Sequence, residues 1–564
     1  DPRIVPKYQL FTAGSIERIV IRNFKSVKHI DIACSPKINA FIGENSVGKS
    51  NIFDAINWSL GPVYPSFNST LPQDHFMGDP ANEIKITLYF DDGKYLQLAE
   101  NWVDQRQNQK SGLNLSAKHI TDIERQKYCS AYLGVDRSIL DYSPSNRWSL
   151  MGRILLDINQ MFKEQEVVDE ETGEVQKKTE IFKTEIEKIR DEILFTVEDH
   201  NGTQVMKKFI ETLQRETAKQ LNRPENELKV DLNLYDPWNF FRTLQLVICE
   251  NDTNLSFQAS NLGMGVQASI SIAILKAYSQ IKLQNSTPLF IDEPELFLHP
   301  QAQRNFYKVL CELAEAGTQI FFTTHSPDFL NVGRFNEIFI VRKNATEGTY
   351  VRCAKPQSFV EDLLIRKNIV SSEDDIMLHY KNAYEETGDT QKANEAFFAK
   401  KIILVEGQSE TLLLPYFFEK IGYDYIGKGI TIVRCGDKSE LDRFYRLYTE
   451  FGIPCFVIFD GDHQHVGTAD EQDTIQKNKG LLSLFGLDDD FPDNLVHEKH
   501  LGFFETLNEN LGIVTSKKGL KLYKHIKQNI ITAADVPNWV TQMTEAIELL
   551  EDNTPSILLK KPVE

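Results

Sequence analysis

Glu406 and Glu410 follow the apolar run KIILV, with Gly407 between strand and helix, so a strand end and the helical turn after it offer two carboxylates to one point. Gly436 closes a second apolar run, IVRCG. A third run, CFVIFDGD, ends in Asp460 and Asp462, two positions apart and so able to lie on one side of the chain. Four carboxylates at one edge of a small sheet repel each other at neutral pH unless divalent cations offset them, and an oxygen-only donor set selects Mg2+ or Mn2+ over zinc. Two such ions about 4 Å apart activate water and stabilise the leaving oxygen of a phosphodiester, which is nuclease chemistry. Any one of these acids reads equally well as a helix cap or a solvated loop residue. Their joint placement after apolar strands is what points to metal.

A second chemistry is written near the start. FIGENSVGKSNIF (41 to 53) places Gly43, Gly48, Lys49 and Ser50 in the pattern G-x-x-x-x-G-K-S, between the apolar strand 38–42 and a helix with apolar Ile52, Phe53, Ala55 and Ile56. Backbone N–H groups of such a loop cradle polyphosphate, Lys49 adds a point charge and the Ser50 hydroxyl is placed to ligate Mg2+. Asn45 inside the loop and Asn51 just after it join the expected ATP-binding positions. PLFIDEPE ends another strand in Asp292, expected to hold Mg2+, and Glu293, expected to orient or deprotonate the attacking water. His325 closes FFTTHSP one strand later, placed to hydrogen-bond a γ-phosphate. Alone it would read as a strand-end histidine satisfied by its neighbours; its position after the Asp-Glu strand favours the functional reading.

These groups need sheets to hold them. Strand signals run through SIERIVIRNFKSV, HIDIACSPKINAFIG, LQLVICE, PLFIDEPELFLHP, QIFFTTHSP and EIFIVRK, and alternation with helices among the later ones predicts a mainly parallel sheet. The spacing predicts an interrupted first domain (1–111 and 235–356), a charged helical insertion with a polar hairpin around Thr172 and Gly173 (112–234), a helical connector (357–399) and a smaller α/β domain (400–564). With 564 residues, 41% hydrophobic and 25% charged, the composition is that of a soluble globular protein. No apolar run is long enough to span a bilayer, and no signal peptide is evident. Seven scattered cysteines without a C-x-x-C pair predict a reducing compartment, hence the cytoplasm, and argue against zinc. A net charge of −19 argues against binding polyanions over the whole surface, leaving local tracks such as SKKGLKLYKHIKQN (516 to 529), which reads equally as a solvated helix face.

Together, GENSVGKS, FIDEPELFLHP, TTHSPDFL and the N-terminal IRNFKSV resemble the ABC-type ATPases of chromosome maintenance and DNA repair. The order glutamate-glycine, later glycine, aspartate-x-aspartate resembles the TOPRIM domain, here Rossmann-like and smaller. The two in tandem resemble the OLD (overcoming lysogenization defect) nucleases, which include the nuclease subunit of the Gabija antiphage system. The resemblance implies an ATP-regulated, metal-dependent DNA endonuclease with Glu406, Glu410, Asp460 and Asp462 on the metals. It also implies a later carboxylate, Glu505 before Glu509, and a late lysine near the scissile phosphate, Lys518 or Lys521. It further implies homo-oligomers in which ATP is clamped by a signature loop, for which SNLGMGVQASISIAIL offers Ser260, Gly263 and Gly265; the last two read alternatively as plain loop glycines. An antiphage role and an accessory defence protein follow from the resemblance only. The rival readings are an ATP-gated DNA-binding or scaffolding factor with non-catalytic carboxylates, and a simple ATPase with an acidic appendage.

Overall fold

The computed structural model describes residues 14–61, 70–121, 124, 128, 131–134, 150–168, 175–221, 223, 224, 227, 235–244, 247–250, 255–258, 263, 265–267, 270, 273, 274, 288–386, 389–513 and 519–551. The chain divides into two compact units. One spans residues 126–287 together with the first thirteen residues; the other joins 14–125 to 288–564 and carries the glycine loop, Asp292, Glu293, His325 and the C-terminal carboxylates.

The first sheet of the larger unit is built from β1 (Ile16–Phe24), β2 (Val27–Ala33), β3 (Ile38–Ile42), β4 (Lys85–Phe90), β5 (Tyr95–Val103), β6 (Gln109–Leu115), β7 (Lys118–His119), β8 (Leu289–Ile291), β9 (Ile320–Thr324), β10 (Ile338–Asn344) and β11 (Gly348–Arg352). They stand in the order β7-β6-β5-β4-β1-β2-β11-β10-β3-β9-β8. The sheet is mixed: β8, β9, β3 and β10 run parallel, and the remaining pairings are antiparallel. This corrects the mainly parallel expectation. Short links such as Asp91–Lys94 between β4 and β5 permit only hairpins, since a parallel crossover needs a dozen residues or more. The burial patterns agree: β3 and β9 are buried at every position, as strands covered on both faces must be, whereas β2 alternates buried with exposed residues. Helix α1 (Lys49–Leu60) leaves β3 through the glycine loop and buries Phe53, which meets Phe41 and Phe290 edge-on. Helix α2 (Pro300–Glu315) links β8 to β9.

The expected strand in LQLVICE is a strand at Val247–Glu250, but it pairs antiparallel with Leu255–Gln258 in the smaller unit. In the same unit Glu166–Val168 pairs antiparallel with Val175–Lys177; the hairpin tip with Thr172 and Gly173 lies outside the described residues.

Helices α3 (Pro356–Lys367), α4 (Glu373–Glu386) and α5 (Thr390–Glu395) lead to a second sheet of β12 (Lys401–Val405), β13 (Ile430–Arg434), β14 (Cys455–Asp460) and β15 (His500–Phe503). Its order is β13-β12-β14-β15 and every pairing is parallel. Helices α6 (Gln408–Ile421), α7 (Lys438–Glu450), α8 (Glu471–Leu482), α9 (Leu507–Asn510), α10 (Leu520–Asn529) and α11 (Asn538–Leu549) complete this part. Its core packs Ile403, Phe417, Ile458, Leu522 and Met543.

The connecting helices are fastened to both sheets. Asn394 donates to the carbonyls of Pro327 and Leu330 after β9, while Arg366 and Lys367 of α3 grip Asp442 of α7 at 2.7 and 2.6 Å. Arg446 of α7 returns to Asp362 of α3 at 3.3 Å, and Tyr448 donates to the Ala393 carbonyl.

Candidate active sites

The loop between β3 and α1 is shaped by contacts that only glycine satisfies. Gly43 and Gly48 have φ of 152° and 107°; a Cβ on the first would fall 2.3 Å from the Val341 carbonyl, and one on the second 2.2 Å from Thr349 Oγ1. A hydrogen-bond chain braces the loop: the Asn51 amide donates to Ser26 Oγ, Ser26 lies 2.7 Å from Thr349 Oγ1, and Thr349 donates to the Val47 carbonyl. Asn51, expected at the cofactor, is thus a brace here. Ser50 and Asn45 are exposed. Lys49 is buried and donates to the carbonyls of Gly43 and Glu44 at 3.0 and 2.9 Å. Burial lowers its proton affinity, against the pull of Glu293, Asp292 and Glu295.

Asp292 follows β8, is buried, and accepts a hydrogen bond from Thr323 of the adjacent β9. Burial raises its pKa, and the Glu293 charge adds to the rise. Glu293 takes a left-handed backbone, φ 48°, with its N–H donated to Thr323, and its carboxylate lies 3.5 Å from His325 Nε2. Burial first and Lys49 second lower the His325 pKa, so the imidazole is neutral at pH 7. Sequence reasoning missed Glu295. Its carboxylate accepts the His325 backbone N–H at 2.6 Å and the Thr324 hydroxyl at 2.9 Å, fixing the strand end that carries the histidine. The only signal was its place in the same DEPE string.

At the second sheet, Glu406 leaves β12 and Asp460 ends the neighbouring β14; the Asp460 N–H lies 3.5 Å from Glu406 Oε2. Glu410 turns back in the first turn of α6 to accept the Gly407 N–H at 3.1 Å. Asp460 Oδ1 accepts the Leu507 N–H at 2.8 Å. Gly461 must be glycine, because a Cβ there would fall 2.4 Å from the Phe504 carbonyl. Asp462, at φ 53°, donates its N–H to the Glu505 carbonyl, and its Oδ2 pairs at 2.8 Å with the buried ammonium of Lys438. Lys438, also missed by sequence reasoning, opens α7 two residues past Gly436, whose N–H donates to the Glu406 carbonyl. Glu505 Oε1 lies 3.2 Å from His463 Nδ1, and its Oε2 is buried without a hydrogen-bond partner among the described residues.

The electrostatics record the crowding. Burial pushes Glu406 up to about 7; Lys438 opposes the rise, and Asp462 and Glu410 add to it. Burial likewise drives Asp460 well above the ordinary aspartate value, with Glu410, Glu406 and Asp462 contributing. The four expected carboxylates therefore act on one another across one space. Among the described residues, however, no three acidic, histidine or cysteine side chains are arranged to hold an ion as they stand. Asp460, Glu410 and Asp462 each rest on a protein partner instead. The donor set itself fits a hard divalent cation: oxygen only, proton affinity raised at Glu406 and Asp460, and one buried carboxylate oxygen of Glu505 unpartnered among the described residues.

Of the other expected positions, Glu509 and Lys521 are exposed on α9 and α10. Lys518 and Ser260 lie outside the described residues. Gly263 is exposed, and Gly265 opens a helical turn in the smaller unit.

Comparison with known proteins agrees with this fold. The family described as AAA ATPase domain matches residues 15–129 and 82–330, and the overcoming lysogenization defect protein-like TOPRIM domain matches 397–462. An OLD nuclease of Thermus scotoductus is 29% identical over 496 residues, covering 82% of this chain and 85% of the relative. The Old nuclease of Escherichia phage P2 is 25% identical over 79% of this chain and 76% of its own length. The endonuclease GajA of Bacillus cereus is 20% identical over 83% and 77%. No described helix is long and apolar enough to cross a membrane. The chain belongs to the AAA ATPase domain family, whose model matches more than half of it, and an OLD-like TOPRIM domain follows that domain.

Proposed function

We propose that the chain is an ATP-regulated, divalent-cation-dependent DNA endonuclease that acts as a homo-oligomer in defence against bacteriophage. The observation that carries this reading is the raised pKa of Glu406, about 7, in the space it shares with Glu410, Asp460 and Asp462. Carboxylates that resist ionisation together are the natural seat of a cation. Bound there, Mg2+ or Mn2+ would supply water activation and charge neutralisation at a phosphodiester. The chain's own residues do the rest. Lys438 fixes Asp462, the Leu507 N–H aims Asp460, and His463 orients Glu505. Glu406, with its proton affinity near neutrality, is suited to accept the proton of the attacking water.

In the ATPase part, the glycine loop with Lys49 and Ser50 holds the phosphates, Asp292 serves the Mg2+, and Glu293 beside neutral His325 orients water. A second copy would close the nucleotide through the segment with Ser260, Gly263 and Gly265. The functional division is an ATPase domain of 1–111 and 235–356, a dimerising insertion of 112–234, a connector of 357–399 and a nuclease domain of 400–564. The phage-defence role rests on the likeness to GajA, and an accessory protein belongs to that role.

The test is cleavage of plasmid DNA by the full chain with Mg2+ or Mn2+, lost in Asp460→Ala. The protein partners already resting on Asp460 and Asp462 favour a second reading, a DNA-binding scaffold; DNA binding without cleavage under either cation would establish it.

A further inference from the structure

Between Glu509 and Asp535 the sequence holds Lys517, Lys518, Lys521, Lys524 and Lys527 and no acidic residue, in a chain with 81 of them. Helix α10 lies in this stretch. Its inner side buries Leu522 and Ile526 against α6 residues Leu413 and Phe417, while Lys521, Lys524 and Lys527 recur every third position on the exposed side. Many exposed lysines elsewhere rest on a carboxylate: Lys94 on Asp92, Lys188 on Glu185, Lys428 on Glu548, all within 2.9 Å. Lys521, Lys524 and Lys527 form no ion pair among the described residues. Lys527 Nζ instead lies 5.9 Å from the ring centre of Tyr416 and 5.5 Å from that of Tyr523, and Lys420 Nζ of α6 lies 5.2 Å from Tyr416. Tyr416 is itself fixed by donating to the Ile530 carbonyl at 2.6 Å. Aromatic faces hold these ammonium groups in place without neutralising them.

The row is also anchored beside the acids. The Gly519 N–H donates to Ser409 Oγ at 3.1 Å, and a Cβ on Gly519 would fall 2.8 Å from Gln408 Oε1. Gln408 and Ser409 begin the turn of α6 that carries Glu410. From that anchor α10 runs for about 15 Å at 1.5 Å per residue.

We propose that Lys521, Lys524 and Lys527, with Lys420, form the track on which the phosphate backbone of duplex DNA lies beside the TOPRIM carboxylates. The proposal rests on the nuclease reading above. A net charge of −19 repels a polyanion from most of the surface, and this unneutralised row is where it can lie.

The test measures anisotropy of a short labelled duplex with the full chain in EDTA, across a salt series. Lys521, a candidate for the catalytic lysine, is left intact, and K420E/K524E/K527E is compared with K94E/K308E/K392E, which changes net charge equally. The track predicts affinity lower by about tenfold or more in the first variant and a salt slope reduced by about two to three, near 0.9 for each phosphate that is no longer neutralised. The second variant keeps wild-type affinity within about twofold. Should the first variant fail to fold, K420Q/K524Q/K527Q must show the same order with a smaller loss. Wild-type affinity and slope in the track variant, or an equal loss in both, overturns the proposal. Loss of binding in the track variant while the unaltered chain cleaves nothing keeps the track and refutes the nuclease reading; equal cleavage and binding by both does the reverse.

Discussion

Replacing Glu406 with glutamine should make the metal-free protein more stable, although it removes a proposed catalytic group. In the folded chain this carboxyl keeps its proton up to about pH 7, whereas an ordinary glutamate releases it near 4.5. The folded state therefore binds more protons than the unfolded state between those values, and stability falls as pH rises through that window. At about 1.4 kcal/mol per pH unit the full difference is about 3 kcal/mol, reached above pH 7. Glu406 retains some solvent access, and water screening reduces this to about 1–3 kcal/mol. Glutamine has the same shape and no charge to desolvate. In EDTA at pH 8, E406Q should melt about 2–12 °C above the unaltered chain, at roughly 2–4 °C per kcal/mol for a domain of this size. At pH 4, below both values, the two should melt nearly together. Saturating Mg2+ should narrow the gap at pH 8, because the cation offsets in the unaltered chain what the substitution removes. Differential scanning calorimetry over pH 4–8, with and without EDTA, reads all three comparisons. An E406Q protein no more stable than its parent at pH 8 in EDTA would show that burial and the neighbouring carboxylates do not disfavour the Glu406 charge, and the argument for a cation there would fall.

Lys438→Met leaves Asp462 without its buried ammonium, so the Mg2+-induced rise in Tm should exceed that of the unaltered chain; an equal rise would mean the lysine and the cation do not share a role. Asp442→Asn strips a buried carboxylate from Arg366, Lys367 and Arg446 and should cost about 3–5 kcal/mol, read by denaturant unfolding; a loss below about 1 kcal/mol would show the cluster is open to water. Gly48→Ala drives a methyl into Thr349 and forces a strained φ, so binding of a fluorescent ATP analogue should fall by about tenfold or more while Tm stays within a few degrees; unchanged binding would refute the proposed phosphate cradle.

The features legible in the sequence are those that short-range chemistry dictates. The glycine loop is legible because backbone geometry at Gly43 and Gly48 admits little else, and the ends of β8, β12 and β14 are legible because runs such as KIILV and CFVIF admit only buried parallel strands. Contacts made across the fold are not legible. Glu295 sits in the DEPE string without an evident role, since its task depends on the neighbouring strand's Thr324 and His325 backbone. Lys438 reads in sequence as a surface residue at a helix start and is buried on Asp462 only because β14 runs beside β12. The strand at Val247–Glu250 has the composition of a sheet core, yet its partner is the adjacent Leu255–Gln258, a choice that local hydrophobicity does not encode.

The clasp of Asp442 by Arg366 and Lys367 bears on how this gene can be dissected. A fragment starting at residue 397 would retain β12 to β15 but forfeit two of the cations facing a buried aspartate, and the Tyr448 hydroxyl would lose the Ala393 carbonyl. The shortest piece that keeps that interior closed begins upstream of Pro356. Truncation boundaries, split-gene complementation and domain grafts in this lineage are accordingly better placed before α3 than at the first strand of the second sheet.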